Sequence, residues 1–237
     1  MSAVASSFVR PSTRPDEIHR LLTDVERYNP SNTVLLEDYL ARQCANPDPQ
    51  SNHDLMANLA LLKLYQFNPE MVDTDVIRRI LAKALISAIP GDFNLCLYLL
   101  SDEICSDPSI TKLLALRESL ERAQFAKFWR DMYGTLEEED EDASVVDGIA
   151  GFDNGLRRLI LAEITATYQT IPAPSVQEMV NLDEEAVVRL ARENGWTVRE
   201  GVISLPLKTE NEAKALVINE NVGFEQLTKM LSAANDV

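Results

Sequence analysis

Two histidines, three cysteines and eight glycines are all that the 237 residues hold of three types on which much binding and catalytic chemistry depends. Cys44, Cys96 and Cys105 lie in apolar helical surroundings without a CxxC pair. That excludes a zinc knuckle and a disulfide framework, and suits small core hydrophobes in a reducing compartment. The glycines build no phosphate loop: Gly148, Gly151 and Gly155 lack the preceding strand that a dinucleotide fingerprint needs. There is no GxSxG elbow and no HExxH pair. His19 falls in a charged helix and His53 at a loop edge, so both are expected in solvent rather than in a catalytic site. These absences argue against an enzyme, a cofactor or a metal.

Positive charge is scarce as well. Against 38 Asp and Glu stand 22 Lys and Arg, a net charge of −16, divided as −11 before Gly151 and −5 from there on. Both halves repel a phosphate backbone on average, so a nucleic-acid role needs a local basic patch. Long apolar runs are missing too. The run from Leu55 to Phe67 is short of the about 20 residues that cross a bilayer, and Asn58, Lys63 and Gln66 interrupt it. The first residues, MSAVASSFVRPSTRP, have no apolar signal core and are broken by Pro11 and Pro15. Residues 1–14 are therefore expected to be a disordered tail of a cytoplasmic, non-membrane protein, the nucleus being a second compartment.

What is present is helical pattern. Leu55, Met56, Leu59, Leu61, Leu62, Leu64, Tyr65 and Phe67 point all around a helical wheel, which predicts a helix buried on every side. It stops at Asn68-Pro69. The same dipeptide stands 39 residues earlier as Asn29-Pro30, and Asp107-Pro108 lies 39 residues later. Asn or Asp before Pro suits an N-cap followed by a first-turn proline, and a period near 40 is that of a two-helix repeat unit. Helices are expected over 15–27, 31–44, 52–67, 72–88, 92–101 and 108–134, the last breaking near Arg122-Ala123, with a loop over 44–51. An irregular bundle would bury the same residues. Phe125, Phe128, Trp129, Met132 and Tyr133 recur at helical spacing as core packing. The acids Glu137 to Asp142 lack the spacing and glycine of a calcium loop and read as a solvated, mobile loop.

After Gly151 the pattern changes. Leu156, Leu159, Ile160, Ile164 and Tyr168 mark a helix ended by Pro172 and Pro174, and Ser175 with Glu178 predicts a capping box for a helix to Val180. Asp183 caps a helix to Asn194, Gly195 stops it, and two β-prone runs flank Glu200-Gly201 as a hairpin. Helix, turn, helix, hairpin is a winged helix. Its second helix would enter a DNA groove, yet it opens on Asp183, Glu184 and Glu185, which fits a helix dipole rather than phosphates and makes direct nucleic-acid contact unexpected. Phe224, Leu227, Met230 and Leu231 outline a terminal amphipathic helix.

On Arg27-Tyr28-Asn29-Pro30, on Asn58 through Pro69, and on Gly148-Ile149-Ala150-Gly151-Phe152, Arg157 and Tyr168-Gln169, the sequence resembles the k-subunit family of eukaryotic translation initiation factor 3 over residues 15–200. The resemblance implies a mainly α, PCI-type protein in which a HEAT/TPR-like helical-repeat domain precedes a winged helix with a small β-hairpin. The expected organisation is a helical-repeat domain over 15–136, an acidic loop over 137–147, a winged-helix domain over 148–205 and a C-terminal tail over 206–237. It further implies a non-catalytic scaffold that pairs with sibling subunits, notably l, with e and c as further candidates, and that reaches the small ribosomal subunit indirectly. A scaffold subunit of the proteasome lid or COP9 signalosome, and a nucleic-acid-binding winged helix, are the competing readings. An open strand edge and an apolar helix face suit assembly, so Trp196, Val198, Val202, Ile203, Phe224, Leu227, Met230 and Leu231 are the expected partner-binding residues.

Overall fold

A computed structural model of the chain describes residues 10–48, 52–87, 91–134, 145–206 and Thr228. The acidic run 137–142 and Phe224, Leu227, Met230 and Leu231 lie outside the described residues. In chain order the helices are α1 (Asp16–Thr23), α2 (Thr33–Ala45), α3 (Leu55–Phe67), α4 (Thr74–Leu85), α5 (Asp92–Leu97), α6 (Asp102–Cys105), α7 (Pro108–Glu121) and α8 (Phe125–Tyr133). Then follow α9 (Phe152–Thr167), β1 (Thr170–Pro172), α10 (Ala173–Val180), α11 (Glu184–Glu193), β2 (Thr197–Arg199) and β3 (Val202–Ser204).

The first helices stack in two rows. α2, α4 and α7 pack in succession, as do α1, α3 and α5, and the rows meet where α2 and α4 touch α3 and where α4 touches α5. The Asn/Asp-Pro spacing marks this repetition. Pro30 and Pro69 each open a short 3-10 turn just before α2 and α4, and Pro108 opens α7 directly. Proline is accepted there because the amide it lacks would have no helical partner. Asn29 and Asp107 accept bonds from Ser31 N and Ser109 N as N-caps should. Asn68 does not: its Nδ2 donates back to Leu64 O at 2.8 Å, closing α3, while Asp73 caps α4 by accepting from Asp75 N and Val76 N. The 3-10 turn displaces the start of α4 by five residues, so the capping role passes to a later side chain.

Three further expectations are corrected. Arg14, at the end of the supposed tail, is buried, because a carboxylate inside the stack requires it. His53 is buried rather than solvated, its side chain being 6 % exposed beside Asp92. α3 is not covered on every side: Leu61, Leu62, Leu64 and Tyr65 are buried, but Met56, Leu59 and Ala60 are half-buried and Phe67 is 60 % exposed.

α7 ends in a Schellman turn. Ala123 adopts a left-handed φ of 54°, its N–H donating to Leu120 O and that of Gln124 to Ser119 O. This three-residue joint redirects the chain into α8, whose Phe125, Phe128, Trp129 and Met132 are buried, whereas Tyr133 is 53 % exposed. α8 packs on α10, with Trp129 Nε1 donating to Met179 O at 2.9 Å. The apolar cores of stack and winged module are thereby continuous. Gly151 supplies another seam: at φ +70° its Cα faces Pro47 O so closely that a Cβ would stand 2.1 Å from that oxygen.

The winged module forms around an antiparallel sheet of order β1-β3-β2, with Ile171, Ile203 and Val198 in one row. β1 was not expected. Tyr168 leaves the helix in an extended conformation, three residues pair with β3, and α10 then begins at Ala173. Ser175 is therefore an interior residue of α10, not its cap: Pro172 and Pro174 are both tolerated at a helix start, which moves that start three residues earlier.

Candidate functional site

Titratable groups converge twice in the stack. Asp54 accepts from Arg14 Nε and Nη2, both at 2.6 Å, from Tyr39 OH at 3.1 Å and from Ala57 N as the cap of α3. Its own N–H donates to Gln43 Oε1 at 3.0 Å, and Gln43 Nε2 donates to Asn58 Oδ1. Burial, reinforced by the Asp54 charge, pushes the Tyr39 hydroxyl well above its ordinary range, so it stays a hydrogen-bond donor. Every lone-pair direction of this carboxylate is in use, which makes it a structural clamp rather than a reactive base.

The second cluster contains the residue types of a hydrolase. Ser87 Oγ donates to Asp92 Oδ2 at 2.7 Å, and His53 Nε2 lies 3.2 Å from the same oxygen. The order is wrong for nucleophile activation: the carboxylate, not the imidazole, receives the hydroxyl, whereas a triad needs the base between acid and nucleophile. The cysteines offer no alternative. Burial raises all three thiols, Cys96 to about 12, which suppresses the thiolate. No group of His, Cys, Asp and Glu among the described residues is arranged to hold a metal ion, and no helix among them is long and apolar enough to cross a membrane.

The winged module is assembled by local signals. Asp183 accepts from Ala186 N at 2.7 Å to start α11, Asn194 and Gly195 end it, and Glu200 and Gly201, with φ of 50° and 76°, form the two-residue hairpin turn. Asp183, Glu184 and Glu185 are all exposed, so the end of α11 that would lead into a DNA groove carries three carboxylates. Positive charge does gather between α9 and α11, where Arg157, Arg158 and Arg189 line a cleft. Arg157 is occupied by Val180 O and lies over the Trp129 ring, and Arg158 pairs with Asp48 at 2.7 Å. One arginine beside Glu193 is not a phosphate-binding patch.

Of the expected partner-binding residues, Trp196 and Ile203 are 5 % and 0 % exposed and spend their surface on the module's own core. Val198 is half-buried, and Val202 is 41 % exposed. β1 covers one side of β3, which leaves β2 with an outer edge unpaired among the described residues. What sequence reasoning missed lies on α3. Its surface stripe of Met56, Leu59, Ala60 and Lys63 forms the floor of a groove shared with Leu22, Arg27, Tyr28 and Leu99. The signal was there in the apolar wheel, but a helix covered on three sides and one covered on all four have the same composition.

A sequence model of the CSN8/PSMD8/EIF3K family matches residues 71–216. The chain is 35 % identical to the eukaryotic translation initiation factor 3 subunit K of Aspergillus terreus, over 95 % of this chain and 96 % of that one. It is 33 % identical to the protein of the same name in Sclerotinia sclerotiorum, over 93 % and 94 %, and 34 % identical to that of Cryptococcus neoformans, over 94 % and 93 %.

Proposed function

The chain belongs to the CSN8/PSMD8/EIF3K family, and we propose that it serves in the cytoplasm as a non-catalytic scaffold subunit of eukaryotic translation initiation factor 3. The observation that carries this reading is the likeness to initiation factor 3 subunit K along nearly the whole of both chains. The fold supports it: the Asp54 carboxylate and the Ser87 hydroxyl are both engaged by internal hydrogen bonds, and the second helix of the winged module presents carboxylates where a nucleic-acid reader presents cations. Work done by such a chain is done through protein surfaces.

The sibling subunits, l first and then e and c, are its proposed partners, and contact with the small ribosomal subunit runs through them. On the winged module the contact is assigned to the free edge of β2 and to Val202, since an open edge extends a neighbour's sheet and an exposed valine adds apolar area beside it. Val198 belongs to the same proposed surface; Phe224, Leu227, Met230 and Leu231, outside the described residues, are proposed partner-binding residues in their own right.

The test is affinity purification of the tagged full-length chain with mass spectrometry of what accompanies it. Initiation factor 3 subunits, l among them, are the expected companions. Lid or signalosome subunits in their place would overturn the assignment. Val202→Glu in the same chain is expected to lower recovery of l at least several-fold without moving the melting temperature; undiminished recovery would remove the winged edge from the interface.

A further inference from the structure

The groove on α3 is the strongest feature that the winged-module contact does not use. Its floor follows one helical ridge, Met56, Leu59, Ala60 and Lys63, which Phe67 continues one turn beyond the lining, a stretch of about 16 Å in all at 1.5 Å per residue. Leu22 and Tyr28 wall one side and Leu99 the other, around a space of about 250 Å³. Two aromatic rings stand exposed there: Tyr28, in the lining, is 49 % exposed, and Phe67, against the Lys63 ammonium, is 60 % exposed. Large apolar side chains collected in one place mark a contact site, where the same residues scattered singly would mean nothing.

Its charge is opposite to that of the molecule. Arg27 and Lys63 both line the groove, in a chain of net charge −16, and neither forms an ion pair among the described residues. Each is held over a ring instead, the Arg27 guanidinium 4.7 Å from the Tyr28 centroid and the Lys63 ammonium 4.8 Å from that of Phe67. Lys63 also donates to Gln66 Oε1. Arg27 Nε is buried with no hydrogen-bond acceptor, a donor waiting for one. The nearest acid in sequence, Glu26, is engaged by Asn29 Nδ2 and Asn32 Nδ2.

We propose that this groove docks an amphipathic helix of a partner protein, about three turns long, with an apolar stripe against Met56, Leu59 and Leu99 and carboxylates opposite Arg27 and Lys63. A helix fits because the groove is framed by helices and turns with no strand among its lining residues, and ridge-into-groove packing then supplies the contact. The carboxylates fit because they accept from the Arg27 guanidinium and neutralise both cations as water is excluded. The inference rests on the chain working among other proteins, as proposed above, but its test does not require the initiation factor.

The full-length chain is titrated into a dye-labelled helical peptide of 14 residues bearing leucines at i, i+3, i+4 and i+7 and flanking glutamates. A second peptide carries glutamine for each glutamate. The acidic peptide is expected to bind saturably and at least tenfold more tightly than its neutral twin. Lys63→Glu is expected to erase that preference, Phe67→Ser to weaken both peptides, and Val202→Glu to leave both as they were. Unaltered melting of the variants establishes that they are folded. No saturable binding, or equal affinity for the two peptides, overturns the proposal. So does displacement of the acidic peptide by an RNA oligonucleotide, or a concentration-dependent dimer in sedimentation that Lys63→Glu dissolves, since RNA or a second copy would then be the occupant. If the peptide arm fails while initiation factor subunits still co-purify, the groove alone is lost.

Discussion

The helical stack and the winged module solve the problem of burial by different means. All the buried polar and charged residues identified in the described chain, from Arg14 through Asp54, Lys83 and Asp92 to Ser119, lie in the stack, while the core of the winged module is apolar throughout. The stack joins segments distant in sequence, and Arg14 reaches Asp54 across 40 residues, so specific pairing sets which helix lies against which. The module is built from neighbours, and its caps, its hairpin turn and a row of Ile171, Ile203 and Val198 are sufficient. One region depends on partners that must be present; the other depends on backbone conformations that must be allowed.

That contrast breaks most easily at Asp54. Asp54→Ala leaves a buried guanidinium unpaired and is expected to cost about 3–5 kcal/mol in denaturant melts. A loss under 1 kcal/mol would mean that the polar clamp does not organise the stack. Leu62→Ala, with its side chain fully buried on α3, is expected to cost about 2–5 kcal/mol, as an apolar truncation anywhere in the core would.

Glycines sharpen the comparison. Gly151→Ala must drive Pro47 away from the module, whereas Gly201→Ala meets open space and only the strain of a positive φ, about 1 kcal/mol. Gly151→Ala should therefore lower the melting temperature well beyond the shift of about 2–4 °C expected for Gly201→Ala in a chain of this size.

The buried cation is a test by pH. Burial lowers the Lys83 ammonium below its usual 10.5. Below the folded value both states hold the proton and the burial penalty is full. As pH climbs from there toward 10.5, the unfolded chain keeps a proton that the folded chain has released, so stability rises, by at most about 1.4 kcal/mol per pH unit. Lys83→Met should flatten that rise, and an unchanged slope would show that Lys83 is not its source. The smallest effect is a gain: Ala123→Gly relieves a left-handed alanine and is expected to add about 0.5–1 kcal/mol, read as a higher unfolding midpoint.

Legibility followed the same division. Asp183, Gly195 and Glu200-Gly201 each announce a local geometry, and the structure has a cap, a left-handed stop and a turn at those positions. The prolines at 30, 69 and 108 were equally plain, because a missing N–H restricts where a residue can stand. Arg14, His53 and Asp92 were not legible: their burial depends on which residue faces them from another helix, and no spacing within one segment encodes that. The groove on α3 was hidden for a related reason, since hydrophobicity records that a side chain avoids water without recording whether its cover belongs to the same chain. β1 escaped because three residues are too few for alternation to be recognised.

The turn at Ala123 has a mechanical meaning. Three residues in a hydrogen-bonded turn leave little slack between α7 and α8, and the far helix is latched to the module through Trp129 and Met179 O. A torque applied to the stack therefore reaches the turn between α10 and α11 with nothing between them to absorb it. Among the described residues, stack and wing are joined as a crank rather than as two beads on a string, so a grip on the helical end would set the azimuth of the wing without touching it.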